Sequence, residues 1–210
     1  MRSTRRLWRG LHRAELFSAD ECRAIVDLAE THGGWQPAPV LRRGRRVVRE
    51  SRRRALVLAV AGERADPALG GELAPYLDKV FGLARDLDHR HFRAGIRSIQ
   101  SAQLVRYPEG GHYAWHVDAR DPGFRKLTAL CYLTDRESDG VIGGETSFAP
   151  PLLAALAHEP LRRVGARWLG WLPTLERPRC GRALVFDARI RHRAYPVRGG
   201  RKISLNVWFV

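Results

Sequence analysis

Cysteine is scarce in this chain. Of 210 residues only Cys22, Cys131 and Cys180 are cysteines. Their number is odd and their spacing fits no zinc motif, so neither a disulfide framework nor a structural zinc site is expected. Such usage suits a reducing cytoplasm, the compartment expected for this protein. Long apolar runs are missing as well. No segment approaches the ~18 consecutive apolar residues of a membrane span, and no apolar stretch follows the basic start from Met1 to Trp8, so neither a membrane partner nor a signal peptide is expected. Acidic residues are in short supply, 22 against 37 basic ones, which leaves a net charge of +15. Lysine is rare within that excess: only Lys79, Lys126 and Lys202 are lysines, and the rest of the positive charge is arginine. A field of this sign attracts nucleic acid, acidic peptides or anionic surfaces. Codon bias toward arginine is the other source of the same composition.

What is present reads as an ordinary folded domain. The hydrophobic fraction of 44% and the charged fraction of 28% exclude disordered and fibrous classes. A chain of this length buries roughly 70% of its unfolded surface and builds its own core. Residues 1–15 read as a basic N-terminal arm, and residues 16–210 as a single domain. Ser18 followed by Glu21 is a capping box, and Cys22, Ile25, Val26 and Ala29 then keep helical spacing until Gly33-Gly34. The arginine-rich stretch 42–54 reads either as a solvated loop or strand edge or as an anion-binding strip. A second helix is expected over about 72–90, on the spacing of Leu73, Tyr76, Leu77, Val80, Phe81, Ala84 and Leu87. From residue 96 onward, short β-branched and aromatic runs alternate with Gly, Pro and Asp turns. That texture predicts many short strands, and with the helices ahead of them an α+β, mainly β fold in which helices cover one sheet. Residues 149–178, containing Trp168 and Trp171, interrupt the strands as an insertion.

The strongest chemical signal is Tyr113-Ala114-Trp115-His116-Val117-Asp118. On a strand, His116 and Asp118 project to one side. Two imidazoles and one carboxylate make the facial triad of non-heme Fe(II) oxygenases, which leaves adjacent coordination positions free. A His-x-Asp alone is also a common surface pair, and the third ligand must come from elsewhere. His12, His32, His89 and His91 fall in the helical half, His112 in a Gly turn and His158 in the insertion, whereas His192 follows a strand in the β half. A satisfied or exposed histidine is the alternative reading there. After Gly199-Gly200, residues 201–209 alternate: Ile203, Leu205, Val207 and Phe209 on one face, Lys202, Ser204, Asn206 and Trp208 on the other. If the first face lies under helices, the second lines a polar interior. A lysine buried there requires an anion.

Five blocks stand in order: Tyr107-x-x-Gly110-x-x-Tyr113-x-x-His116-x-Asp118; Thr128 to Leu133; Gly143-Gly144-Glu145-Thr146-x-Phe148; Gly181-x-Ala183-Leu184-x-Phe186; and His192-x-x-x-Pro196-Val197-x-x-Gly200-x-Lys202. Together they resemble the Fe(II)/2-oxoglutarate dioxygenases of the prolyl 4-hydroxylase type, over roughly residues 15–210. The resemblance implies a double-stranded β-helix, or jelly roll, with the N-terminal helices packed on the major sheet. It implies that His116, Asp118 and His192 hold Fe(II) and that Lys202 holds the distal carboxylate of 2-oxoglutarate, with Arg201 as the rival anchor. Tyr107, Tyr132 and Thr128 match positions near the cosubstrate. It further implies O2 as co-reactant, ascorbate as reductant, succinate and CO2 as co-products, and hydroxylation of an unactivated C–H in a peptide, protein or amino-acid substrate. Asp118 speaks against a halogenase, in which a small residue replaces the carboxylate. A nucleic-acid oxygenase, suggested by the charge, and a small-molecule oxygenase remain alternatives, as does a non-catalytic jelly roll that binds an acidic partner through its basic face.

Overall fold

The computed structural model describes residues 4–8, 10–42, 45–119, 125–149 and 174–210. Helix α1 (Ala19–His32) begins at its capping pair: the Ser18 hydroxyl accepts from the Glu21 N–H at 3.1 Å, and the Glu21 carboxylate accepts from the Ser18 N–H at 3.0 Å. Helix α2 (Pro67–Leu87) starts earlier than its apolar spacing suggests. Asp66 caps it by accepting from the N–H groups of Ala68 and Leu69, and Pro67 occupies the first helical position, where a missing N–H costs nothing. The start signal was Asp-Pro, and the apolar stripe is legible only inside it.

The strands are β1 (Thr4–Trp8), β2 (Leu11–Glu15), β3 (Gln36–Pro37), β4 (Pro39–Arg42), β5 (Arg45–Val48), β6 (Arg53–Arg54), β7 (Leu56–Ala61), β8 (Ile99–Tyr107), β9 (His112–His116), β10 (Leu127–Tyr132), β11 (Ile142–Gly143), β12 (Thr146–Phe148), β13 (Thr174–Glu176), β14 (Arg182–Asp187), β15 (His192–Ala194), β16 (Val197–Gly199) and β17 (Lys202–Phe209). A major sheet runs β1-β2-β14-β10-β17-β8-β7-β3, and a smaller sheet runs β13-β12-β15-β9-β6. Hairpin β4-β5 and the pair β11-β16 stand beside them. The arrangement is mainly β with a jelly-roll core.

The alternation in β17 sorts the two faces of the major sheet. Ile203, Leu205, Val207 and Phe209 join Leu127, Ala129 and Cys131 of β10 in one buried cluster with Ile25 of α1 and Leu73, Val80 and Leu87 of α2. The opposite face carries Lys202, Ser204, Asn206 and Trp208 on β17, with Tyr107 paired to Lys202 across β8 and Tyr132 paired to Ser204 across β10. A slip of one residue would exchange the two sets, so the helix-covered face fixes the register that turns the polar set inward.

Two expectations change. The basic arm is a hairpin of β1 and β2, and β2 also pairs with β14; it buries Leu11 on one face and His12 and Ala14 on the other, among charged residues. The arginine-rich stretch divides between β5, which is exposed, and β6, where Arg53 is buried. Of the insertion expected over 149–178, residues 150–173, with Trp168 and Trp171, lie outside the described residues.

Candidate metal centre and adjoining pocket

Strands β9 and β15 are antiparallel neighbours whose register sets His116 opposite His192. Their imidazole centroids lie 4.1 Å apart. The strand expected to reach Asp118 stops at His116. Beyond it, the N–H groups of Asp118 and Ala119 both donate to the Ala188 carbonyl, at 3.0 and 2.9 Å, and this fork returns the carboxylate to the two imidazoles. Asp118 Oδ1 lies 3.7 Å from His116 Nε2, and Oδ2 lies 3.7 Å from His192 Nε2. The three donor atoms fall within 4.8 Å of one another.

Backbone carbonyls decide which nitrogen of each ring faces the group. His116 Nδ1–H donates to the Ala114 carbonyl and His192 Nδ1–H to the Ile190 carbonyl, each at 2.9 Å. The Nε2 atoms of both rings are thereby aimed at one point. Burial holds His116 well below the usual imidazole range, with the neighbouring His192 acting the same way. Burial pushes the Asp118 carboxyl up, but His192, His116 and the Thr128 hydroxyl outweigh it, and the group sits below its ordinary value. Two imidazoles and a carboxylate on one side of a point are the donor set that suits a ferrous ion.

Surrounding side chains brace these donors. Thr128 Oγ1–H donates to Asp118 Oδ2 at 2.8 Å, so Thr128 acts on the carboxylate rather than facing the cavity with a free hydroxyl. The buried indole N–H of Trp208 lies beside the same carboxylate and lacks a well-aligned acceptor. Tyr113 stacks on His116 at 3.5 Å, and Phe148 and Phe186 flank His192.

A cavity of about 940 Å³ opens onto this cluster and extends to Lys202, whose residue is 1% exposed. The Lys202 Nζ donates to the Gly144 carbonyl at 2.7 Å and lies 4.9 and 5.3 Å from the rings of Tyr107 and Tyr132. No carboxylate lies within ion-pair distance of it among the described residues; burial drops its pKa from 10.5 to about 7, and only Glu145 pulls the other way. Burial pushes the Tyr107 phenol up to about 12 and that of Tyr132 higher still. The Tyr132 hydroxyl donates to Thr146 Oγ1 at 2.7 Å. A buried ammonium with carbonyl, hydroxyl and ring neighbours, but no anion of its own, fits the carboxylate of an acid that enters the cavity. Arg201, the rival anchor, points away and pairs with Glu30 of α1 at 3.4 Å.

Three contributors escaped the sequence reading. Gly144 supplies the carbonyl that Lys202 uses, and at φ 69° a Cβ there would stand 3.1 Å from the Lys202 Cδ; the Gly-Gly pair was legible only as a turn. The alternation of β17 puts Trp208 on the inward face but gives no sign of the carboxylate beside its indole N–H. Arg53 lines the cavity but was indistinguishable inside a run of arginines.

Among solved structures, a prolyl-4-hydroxylase from Pseudomonas putida superposes with a TM-score of 0.68 at 21% identity, covering 96% of this chain and 92% of that one. A prolyl hydroxylase from Trichoplax adhaerens, in complex with a hypoxia-inducible-factor peptide fragment, gives 0.67 at 17%, covering 95% and 83%. The alpha-ketoglutarate-dependent carbocyclase SnoK of nogalamycin biosynthesis gives 0.63 at 17%, covering 96% and 79%. No curated protein matches the chain. At these identities the likeness establishes the jelly-roll fold and no more. The sequence pattern of the 2OG-Fe(II) oxygenase superfamily, however, matches residues 102–210, more than half of the chain, and on that match the chain belongs to the 2OG-Fe(II) oxygenase superfamily.

Proposed function

We propose that this protein is an Fe(II)- and 2-oxoglutarate-dependent dioxygenase that hydroxylates an unactivated C–H of a peptide, protein or amino-acid substrate, releasing succinate and CO2. The observation that carries the reading is the pairing, in one cavity, of the His116–Asp118–His192 cluster with a buried Lys202 that has no counter-anion among the described residues. A ferrous ion with 2-oxoglutarate and O2 supplies the oxidising power for such a reaction. The chain's part is placement. His116 Nε2, Asp118 and His192 Nε2 present the ligand atoms, and Thr128 holds the carboxylate in its rotamer. Lys202 pairs with the distal carboxylate of the cosubstrate, and Tyr132 and Tyr107 flank it. Phe148 and Phe186 keep water from the His192 side.

The two prolyl hydroxylases among the similar structures favour a prolyl side chain, while the carbocyclase shows that the same fold serves other chemistry. A cytoplasmic location and ascorbate as the reductant that keeps iron ferrous complete the proposal. A non-catalytic jelly roll gives no reason for an imidazole pair and a carboxylate to converge with both Nδ1 atoms tied back.

The test is release of succinate from 2-oxoglutarate with Fe(II) and ascorbate, followed by mass spectrometry for gain of one oxygen atom across a peptide and amino-acid panel. Wild type is expected to turn over and His116→Ala to be inactive. Equal behaviour of the two proteins ends the proposal.

A further inference from the structure

Arg53 is a second buried cation in the same cavity, and among the described residues it too has no carboxylate in ion-pair distance. It sits on the two-residue strand β6, opposite Tyr113 of β9, and is 8% exposed. Its guanidinium lies 4.7 Å from the centre of the Tyr113 ring, which itself stacks on His116. The Tyr107 hydroxyl is beside it. One Nη1–H donates to the Pro39 carbonyl at 3.3 Å, and Nε is buried with no partner. Among the described residues no carboxylate stands within ion-pair distance of Arg53, although the chain pairs other arginines freely: Arg106 with Glu30, and Arg13 and Arg182 with Glu176.

Charge counting sharpens this, on the reading given under Proposed function. Of the charged side chains that line the cavity, Lys202 and Arg53 are the buried cations, whereas Arg46, Arg64, Arg125, Arg193, Glu63 and Asp66 are open to solvent in part or in full. At the buried end a ferrous ion, Lys202 and Arg53 bring four positive charges. Asp118 and the dianion of 2-oxoglutarate remove three. One positive charge is left on a fork-shaped group that suits a planar, bidentate anion. We propose that Arg53 anchors a carboxylate of the primary substrate, so that the enzyme acts on a carboxylate-bearing molecule whose target C–H reaches the metal while its acid group lies on Arg53. Two sources share this chemistry: the α-carboxylate of a free amino acid and the side chain of an Asp or Glu within a peptide. Leaving such a carboxylate out strands the guanidinium without a partner, so the site discriminates against the neutral amide of the same molecule.

The first measurement needs no turnover. Protein loaded with Mn(II) and 2-oxoglutarate without oxygen is melted in the presence of N-acetylglycine, of N-acetylglycinamide, and of a short single-stranded DNA. N-acetylglycine is expected to raise the melting temperature of wild type and of Arg53→Lys, its amide to leave it unchanged, and Arg53→Gln to abolish the response. The Kd of 2-oxoglutarate in Arg53→Gln is expected to stay at the wild-type value. Arg53→Lys keeps the charge and the test should Arg53→Gln fail to fold. The second measurement compares substrate-stimulated succinate release on free amino acids against their amides, and on Asp- or Glu-containing peptides against their Asn or Gln counterparts. The carboxylate form is expected to win by at least about tenfold in wild type, and the arm in which it wins names the source. No thermal response to N-acetylglycine, an equal response to its amide, a response to DNA alone, or a weakened 2-oxoglutarate Kd in Arg53→Gln each overturns the proposal. The dioxygenase reading fails separately, by the absence of any response to 2-oxoglutarate.

Discussion

A lysine whose pKa is lowered by burial has consequences opposite in sign to those of the usual salt-bridged lysine. Lys202 titrates at about 7 in the folded, ligand-free protein and near 10.5 when unfolded. Between those values the unfolded chain binds the extra proton, so stability rises with pH across that window. The penalty is fully present below about pH 7 and is relieved as pH approaches 10.5; its ceiling is on the order of 5 kcal/mol. Binding of the dianion runs the other way, because it needs the ammonium form. The Kd of 2-oxoglutarate is therefore expected to weaken by up to about tenfold per pH unit above pH 7. Lys202→Arg, whose guanidinium keeps its proton, is expected to flatten that slope in a calorimetric titration from pH 7 to 9. Lys202→Met is expected to melt higher than wild type at pH 7 while losing 2-oxoglutarate binding. Thr128 offers a second check at this scale. Its hydroxyl fixes Asp118 Oδ2. Thr128→Val is expected to weaken Fe(II) affinity by about 10–100-fold, read by metal titration, with the fold intact.

Secondary-structure elements carry these side chains, and they differ in how openly the sequence announces them. Strand β17 alternates without a break, and the structure turns its apolar set to the helices and Lys202 inward. His116 and Asp118 are separated by one residue; the β9–β15 register brings His116 to His192, and the fork to the Ala188 carbonyl returns Asp118 to both. Strand β2 was hidden because Arg13 and Glu15 flank its buried residues, and charge dominated the reading. Arg53 was hidden for the converse reason: a two-residue strand has too few positions for a period, so nothing along the chain separates the buried arginine from its exposed neighbours. The junction between β2, α1 and β14 rests on Gly181. Its carbonyl accepts from the N–H groups of Leu16 and Phe17 at 2.8 and 3.1 Å, its φ is +80°, and a Cβ would stand 2.1 Å from the Phe17 carbonyl oxygen. Gly181→Ala is expected to cost roughly 3 kcal/mol, combining the left-handed backbone with displacement of α1. For a chain of this size that lowers the melting temperature by about 6–12 °C in a thermal scan.

Over the whole molecule, positive charge falls into two physically different populations. Among the described residues most arginines lie at the surface, where their charge acts through water and counterions, whereas Lys202 and Arg53 face a shared cavity with no carboxylate in ion-pair distance. Screening separates them, because the Debye length at 0.15 M salt is about 8 Å for exposed charges and buried pairs are screened far less. Mn(II) with 2-oxoglutarate at ~100 times its Kd is expected to add about 2.7 kcal/mol to folding, a rise of roughly 5–11 °C in melting temperature. Adding salt is expected to change that rise little. Retention on heparin, which reports the surface field, is expected to fall steeply over the same salt range. A ligand-induced rise that vanished with salt as fast as heparin retention would place the 2-oxoglutarate contacts on the exposed arginines instead of on Lys202 in the cavity.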